Sequence, residues 1–255
     1  MDLRAHVYSP TQNAAIWWAA WLYHQQSFDA LSEALEQLGG LFTTPDGRGL
    51  TELAASVRRH AELDKDQGRE SESRFALGPR HPRVELLLAG PGNTHDAGQA
   101  AAIAILNAQE EAMLLTPKFL PEVTLWETEM HGPLRTRAFL SPGDADALLT
   151  QATNTAAQLI ESMNHGPSSH ANPRLTVGTL QDFYENPAGL PPEVPPRAGK
   201  LIARADRVAA IVETVVDRLG DHTFDPELLG LGRPIRLARM AAVSYCCAEW
   251  GRLRG

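Results

Sequence analysis

The residues Gly90-Pro91-Gly92-Asn93-Thr94-His95-Asp96 lie between an apolar run and an alanine-rich one, where α/β proteins often seat a phosphate. Gly90, Gly92, Asn93 and Thr94 are therefore the candidate ligand-binding residues. The dinucleotide fingerprint, however, requires a third glycine where His95 stands, and a P-loop requires a Gly-Lys-Ser/Thr that is absent. With no Lys or Arg nearby and Asp96 repelling phosphate, a helix-capping turn with Asn93 or Thr94 as cap is the better reading.

Glu127, Glu129 and His131 share one strand face by their spacing of two, and such a set could bind a metal or work as an acid/base pair. A three-residue loop at His131-Gly132-Pro133 would set Glu129 against Arg135, Glu127 against Arg137 and Met130 against Leu134. An arginine-neutralised carboxylate is a poor ligand, so the cluster reads as surface ion pairing. His165 and His170 have no third ligand at a recognisable spacing, and read as a solvated loop. Arg233, Arg236 and Arg239 fall three apart on one helix and are the candidate partner-binding residues, although arginines so placed often snorkel from a buried helix to water. No Gly-x-Ser-x-Gly, His-Glu-x-x-His or Cys-x-x-Cys occurs. No catalytic residue, metal site or cofactor is assigned.

The elements around these residues follow from periodicity. Ser9-Pro10-Thr11-Gln12 resembles a capping box, with Gln12 reaching back to start a helix that carries Trp17, Trp18 and Trp21. Those tryptophans read as core, since a membrane-surface helix would need a Lys/Arg-rich polar face. A second helix is expected from Ser27 to Gly39-Gly40, and a third from about Leu50 to Leu63. Asp64–Ser73, charged and without periodicity, is expected to be a mobile loop. Val84–Ala89 reads as a central strand, the alanine-rich run to Gln109 as a helix and Ala112–Thr116 as a second strand. Together these predict one right-handed βαβ unit, followed by a hairpin from Val123–Met130 and Leu134–Leu140. Ser141-Pro142-Gly143-Asp144 opens a long helix whose buried line is predicted at Leu148, Ala152, Thr155, Leu159 and Met163. Five prolines from Pro187 to Pro196 make a semi-rigid connector. Leu201, Ala205, Val208, Val212, Val215 and Leu219 then form a coiled-coil-like seam, and a last helix is expected from Pro234 to Trp250, apolar on nearly every side.

The composition, 43% hydrophobic and 21% charged over 255 residues, is that of a globular chain. A net charge of −8 disfavours a nucleic-acid regulator, although the stretch from Arg197 onward carries ten Arg and Lys against seven Asp and Glu. The only cysteines, Cys246 and Cys247, are adjacent, which suits neither an ordinary disulfide nor a zinc site and points to a reducing compartment. The apolar run Ala14–Tyr23 is too short to span a bilayer, and no signal peptide is apparent. The expected location is cytoplasmic.

Three stretches resemble, as a group, an uncharacterised family of conserved actinobacterial proteins: Trp-Leu-Tyr-His-Gln-Gln-Ser-Phe-Asp-Ala-Leu from Trp21, Leu-Thr-Pro at 115–117, and Leu-Pro-Pro-Glu-Val-Pro-Pro-Arg-Ala at 190–198. Twenty Arg against three Lys fits such a source. The resemblance implies no activity and assigns no residue a role. The expectation is one α/β domain: a helical layer over 1–63, an α/β core over 80–166, a proline-rich connector over 167–198 and C-terminal helices over 199–255. Its small mixed sheet would be covered by helices from both termini. The expected role is non-enzymatic binding or protein interaction, with a homodimer formed through the seam. The alternatives are a small-molecule or phosphate binder, or an enzyme, using Gly90–Asp96, and a nucleic-acid regulator using Arg233–Arg239.

Overall fold

The computed structural model describes residues 10–61, 83–90, 101–134, 140–163, 189–219 and 225–253. Helix α1 (Pro10–Leu22) begins on Pro10, whose missing N–H costs nothing at a first helical position. Its side chains from Ala14 to Leu22 are all buried, Trp17, Trp18 and Trp21 included, so the tryptophans are core. Helix α2 (Phe28–Gly39) is capped by Ser27, whose Oγ accepts the Ala30 N–H at 3.1 Å, and it ends at Gly40 with φ +75°. Strand β1 (Leu41–Thr43) and helix α3 (Leu50–Ala61) follow. The expected loop Asp64–Ser73 lies outside the described residues.

The sheet is mixed, in the order β1-β5-β4-β3-β2, which bears out the α/β class with helices from both ends of the chain packed on it. The βαβ unit is overturned. The described part of the alanine-rich segment is a strand and not a helix: β2 (Arg83–Leu88) pairs antiparallel with β3 (Ala101–Leu106), from Arg83↔Leu106 to Leu88↔Ala101. Ile103 and Ile105 occupy one face of β3, Ala104 and Leu106 the other, and all four are buried. With both faces apolar, the two-residue alternation that marks a strand vanishes and alanine content alone suggests a helix. Nor is β2 central. It is an edge strand, and its apolar run is buried because the last helix lies against it.

Strand β4 (Ala112–Phe119) turns through Leu120–Glu122 into β5 (Val123–His131), with Thr116↔Glu127 and Met113↔Met130 in register. Pro117 is tolerated within β4 because β3 pairs only with Ala112–Leu115, so no strand on that side needs the missing N–H. The predicted hairpin pairing next to His131-Gly132-Pro133 is not formed at Leu134. Leu134 is not in a ladder with Met130; it packs against Ala104, Leu106, Ala112 and Leu114 on the sheet face away from Trp126. Arg135 and Arg137 lie outside the described residues.

Helix α4 (Pro142–Met163) starts where predicted, with Ser141 Oγ accepting the Asp144 N–H at 3.1 Å. Its buried line runs through Ala145 and Leu149 rather than Leu148, which is exposed. The connector is pinned by two indoles: Trp17 Nε1 donates to the Gly189 carbonyl at 3.0 Å, and Trp250 Nε1 to that of Glu193 at 3.1 Å. Helix α5 (Pro196–Leu219) packs along α6 (Asp225–Arg252), which begins nine residues before Pro234, the position predicted to start it. No helix among the described residues is long and apolar enough to cross a membrane.

Leu201, Ile202, Ala205, Val208, Ala209 and Val212 are buried within the single chain. This removes the reason for a dimer along the described part of the seam, because α6 already supplies its apolar partner. Val212→Glu places an unpaired carboxylate in that core, so the variant loses several kcal/mol and unfolds or aggregates, as thermal melts and sedimentation will read. A folded monomeric variant would place the seam at a surface instead.

Arg239 is buried at the junction of three helices. Its Nη1 donates to Gln12 Oε1 and to Asp206 Oδ1, both at 2.7 Å, tying α6 to α1 and α5. Gln12 thus serves the interior; Ser9, the other half of the expected capping box, lies outside the described residues. Burial pushes the Asp206 carboxyl up, with Arg239 opposing. Such a pair is expensive to bury and more expensive to break. Asp206→Ala is expected to cost about 3–5 kcal/mol in urea unfolding, and Asp206→Leu combined with Arg239→Met to recover most of it.

Candidate functional site

Among the described residues, those singled out from the sequence do not come together as a catalytic centre. Among the described residues Glu127 pairs with Lys118 at 2.5 Å, and His131 Nδ1 lies 2.9 Å from the Gly132 carbonyl, its own neighbour. No group of His, Cys, Asp or Glu among the described residues could hold a metal. His165, His170, Gly92, Asn93 and Thr94 lie outside the described residues. Gly90 is described, and it does not face open space. A Cβ placed there would lie 2.6 Å from Cζ of Arg236, and one on Gly232 would lie 3.0 Å from Arg236 Nη1. The two glycines therefore make the slot that admits the guanidinium.

Arg236 and Arg239 are each 2% exposed, so they neither face a partner nor snorkel to water. Only Arg233 of the three is exposed. Burial and the neighbouring Arg233 push the Arg236 guanidinium below its ordinary value. Two expectations meet here: the Gly90 turn and the arginine helix form one packed junction. Gly90→Ala is expected to cost about 1–3 kcal/mol in denaturant unfolding, because a buried guanidinium has little room to retreat. No change in the midpoint would refute the slot.

What the structure does offer is a cleft of about 830 Å³ beside the C-terminal half of α6. The edge strand β2 forms one wall with Val84 and Glu85, and α6 forms the opposite wall with Ala241, Tyr245 and Ala248. Tyr23 closes one part, while Ser141 and Arg197, just before α4 and at the start of α5, line another. The walls are mostly apolar, and the polar groups are few.

Each of those groups has a definite state. Arg83 is held by Glu85 at 2.8 Å and by both carboxylate oxygens of Glu110, at 3.1 and 2.5 Å. Burial pushes the Glu85 carboxyl up against the opposing effect of Arg83. Cys247 donates its thiol to the Val84 carbonyl at 3.4 Å, capping an edge acceptor of β2. Burial pushes that thiol up to about 12, and the Cys246 thiol is raised as well. Both cysteines are therefore neutral and weakly nucleophilic near pH 7. Arg252 is paired with Glu249. The cleft escapes sequence reading because its walls come from residues far apart in the chain. The only hints are Ser141 as a cap and Arg197 as the first residue of the basic stretch.

Residues 143–240 match the model of a family described as Rv1486c-like protein, C-terminal domain. The match fits the uncharacterised actinobacterial family that the three sequence stretches resemble. It begins one residue inside α4 and covers α5 and the first half of α6. No curated protein and no solved structure matches the chain.

Proposed function

We propose that the protein is a non-enzymatic binding protein, and that it takes a small, largely apolar molecule into the cleft between β2 and α6. The observation that carries this reading is the cleft itself: about 830 Å³, within the range of small-molecule sites, with apolar walls and a few convergent polar groups. Its chemistry favours holding over transforming. The thiol in the wall is neutral, and the carboxylate and guanidinium on β2 are committed to each other. Neither is poised as a nucleophile or a base.

The reading replaces both arginine-based alternatives, since Arg236 and Arg239 are interior. It also moves the ligand away from Gly90, whose space the Arg236 side chain fills. Self-association along Leu201–Val212 is not part of it, because that face is buried within the chain.

A neutral apolar probe tests the reading directly. 1-N-phenylnaphthylamine is expected to bind saturably at one site per chain. Ala248 is exposed and lines the cleft, so Ala248→Trp should fill it from the solvent side without disturbing the core. The variant is expected to lose probe affinity by about tenfold or more, at an unchanged melting temperature. Absence of saturable binding to the wild type, or undiminished binding to the variant, contradicts the proposal.

A further inference from the structure

Three arginines line the cleft, and they are not equivalent. Arg83 is neutralised by Glu85 and Glu110, and Arg252 by Glu249. Arg197 is exposed and makes no ion pair or hydrogen bond with a described residue. Its Nη2 lies 3.5 Å from the point a Cβ on Gly143 would occupy, and Ser141 Oγ lies 3.7 Å from the same point. The Ser141 hydroxyl is already spent, donating to Asp144 Oδ2 at 2.7 Å and accepting the Asp144 N–H. Arg197 is thus the one cation in the lining whose charge no carboxylate of the described chain answers.

We infer that the ligand of this cleft is an amphipathic monocarboxylate, its carboxylate on Arg197 and its apolar body along Tyr245, Ala248 and Leu140. The inference rests on the cleft being the binding site and adds the class of ligand. A guanidinium presents two parallel N–H donors at the spacing of a carboxylate's oxygens, which suits one planar monoanion. A dianion such as a phosphate monoester would call for a second available cation, and the other two arginines are committed. Because Arg197 is exposed, its attraction is screened by salt, so the preference for an anion should weaken as ionic strength rises.

The test is displacement of bound 1-N-phenylnaphthylamine from the full chain by decanoate, decanol and decyl phosphate at pH 7.5 and low salt. Decanoate is expected to displace the probe at a concentration about tenfold lower than decanol, a gap of about 1.4 kcal/mol, with decyl phosphate no better than decanoate. Arg197→Gln should bring decanoate to the level of decanol while leaving the probe and decanol unaffected. Equal displacement by decanoate and decanol, a preference that survives Arg197→Gln, or displacement by none of the three overturns the ligand class and leaves the cleft reading standing. Stronger displacement by decyl phosphate overturns it in favour of a dianion. Failure of the probe itself to bind overturns the cleft reading and this inference together.

Discussion

Between Leu231 and Trp250, α6 meets β2, α1, α4 and α5, and it buries residues on every side, from Leu231 and Ile235 to Val243, Cys246 and Trp250. A helix apolar all round has to be enclosed, since a single neighbour covers only one stripe of it. Enclosing this one brings two guanidinium groups inside. Each is accommodated by a distant part of the chain: Arg239 by Gln12 and Asp206, and Arg236 by the slot at Gly90 and Gly232. The positions of α1 and α5 relative to α6, and of the end of β2, follow from those two side chains. Shape alone would allow the helices to slide; a buried charge paired with Asp206 does not.

The same constraint accounts for the edge of the sheet. An exposed β2 edge would invite pairing with another chain. Here α6 lies against it, and the Cys247 thiol occupies the Val84 carbonyl. At the other end of the sheet β1 pairs with β5 only from Leu41↔Val123 to Thr43↔Leu125. Helix and edge strand do not meet along their whole length, and the space left between the C-terminal half of α6, β2 and the starts of α4 and α5 is the cleft. The proposed site is in this sense a by-product of covering an edge with a helix.

Local signals were legible where they depend on a few adjacent residues. Pro10, Ser27 and Ser141 mark helix starts correctly, and the tryptophans of α1 are core as their periodicity suggests. Signals that depend on a neighbouring element misled. Ala101–Leu106 is buried on both faces and so hides its strand period. Pro234 marks no helix start because α6 tolerates it in the interior, four residues after the exposed Gly230. The expected Arg patch on α6 was spaced correctly but turned inward, since spacing fixes relative direction and not which way is out. Glycine is required at position 90 to leave room for the Arg236 side chain, a contact between distant parts of the chain that the loop's own residues do not reveal. The cleft had no sequence signature beyond the hints at Ser141 and Arg197, because separate elements wall it.

The central claim is that the segment Ile235–Trp250 of α6, packed against β2, α1, α4 and α5 at once, opens only when the whole fold does. Native-state hydrogen exchange measures this directly. The amides of Ile235–Trp250 are expected to exchange only with the free energy and denaturant dependence of complete unfolding, together with those of β3. Exchange of that stretch through a local opening well below the global free energy, while β3 stays protected, would contradict the account.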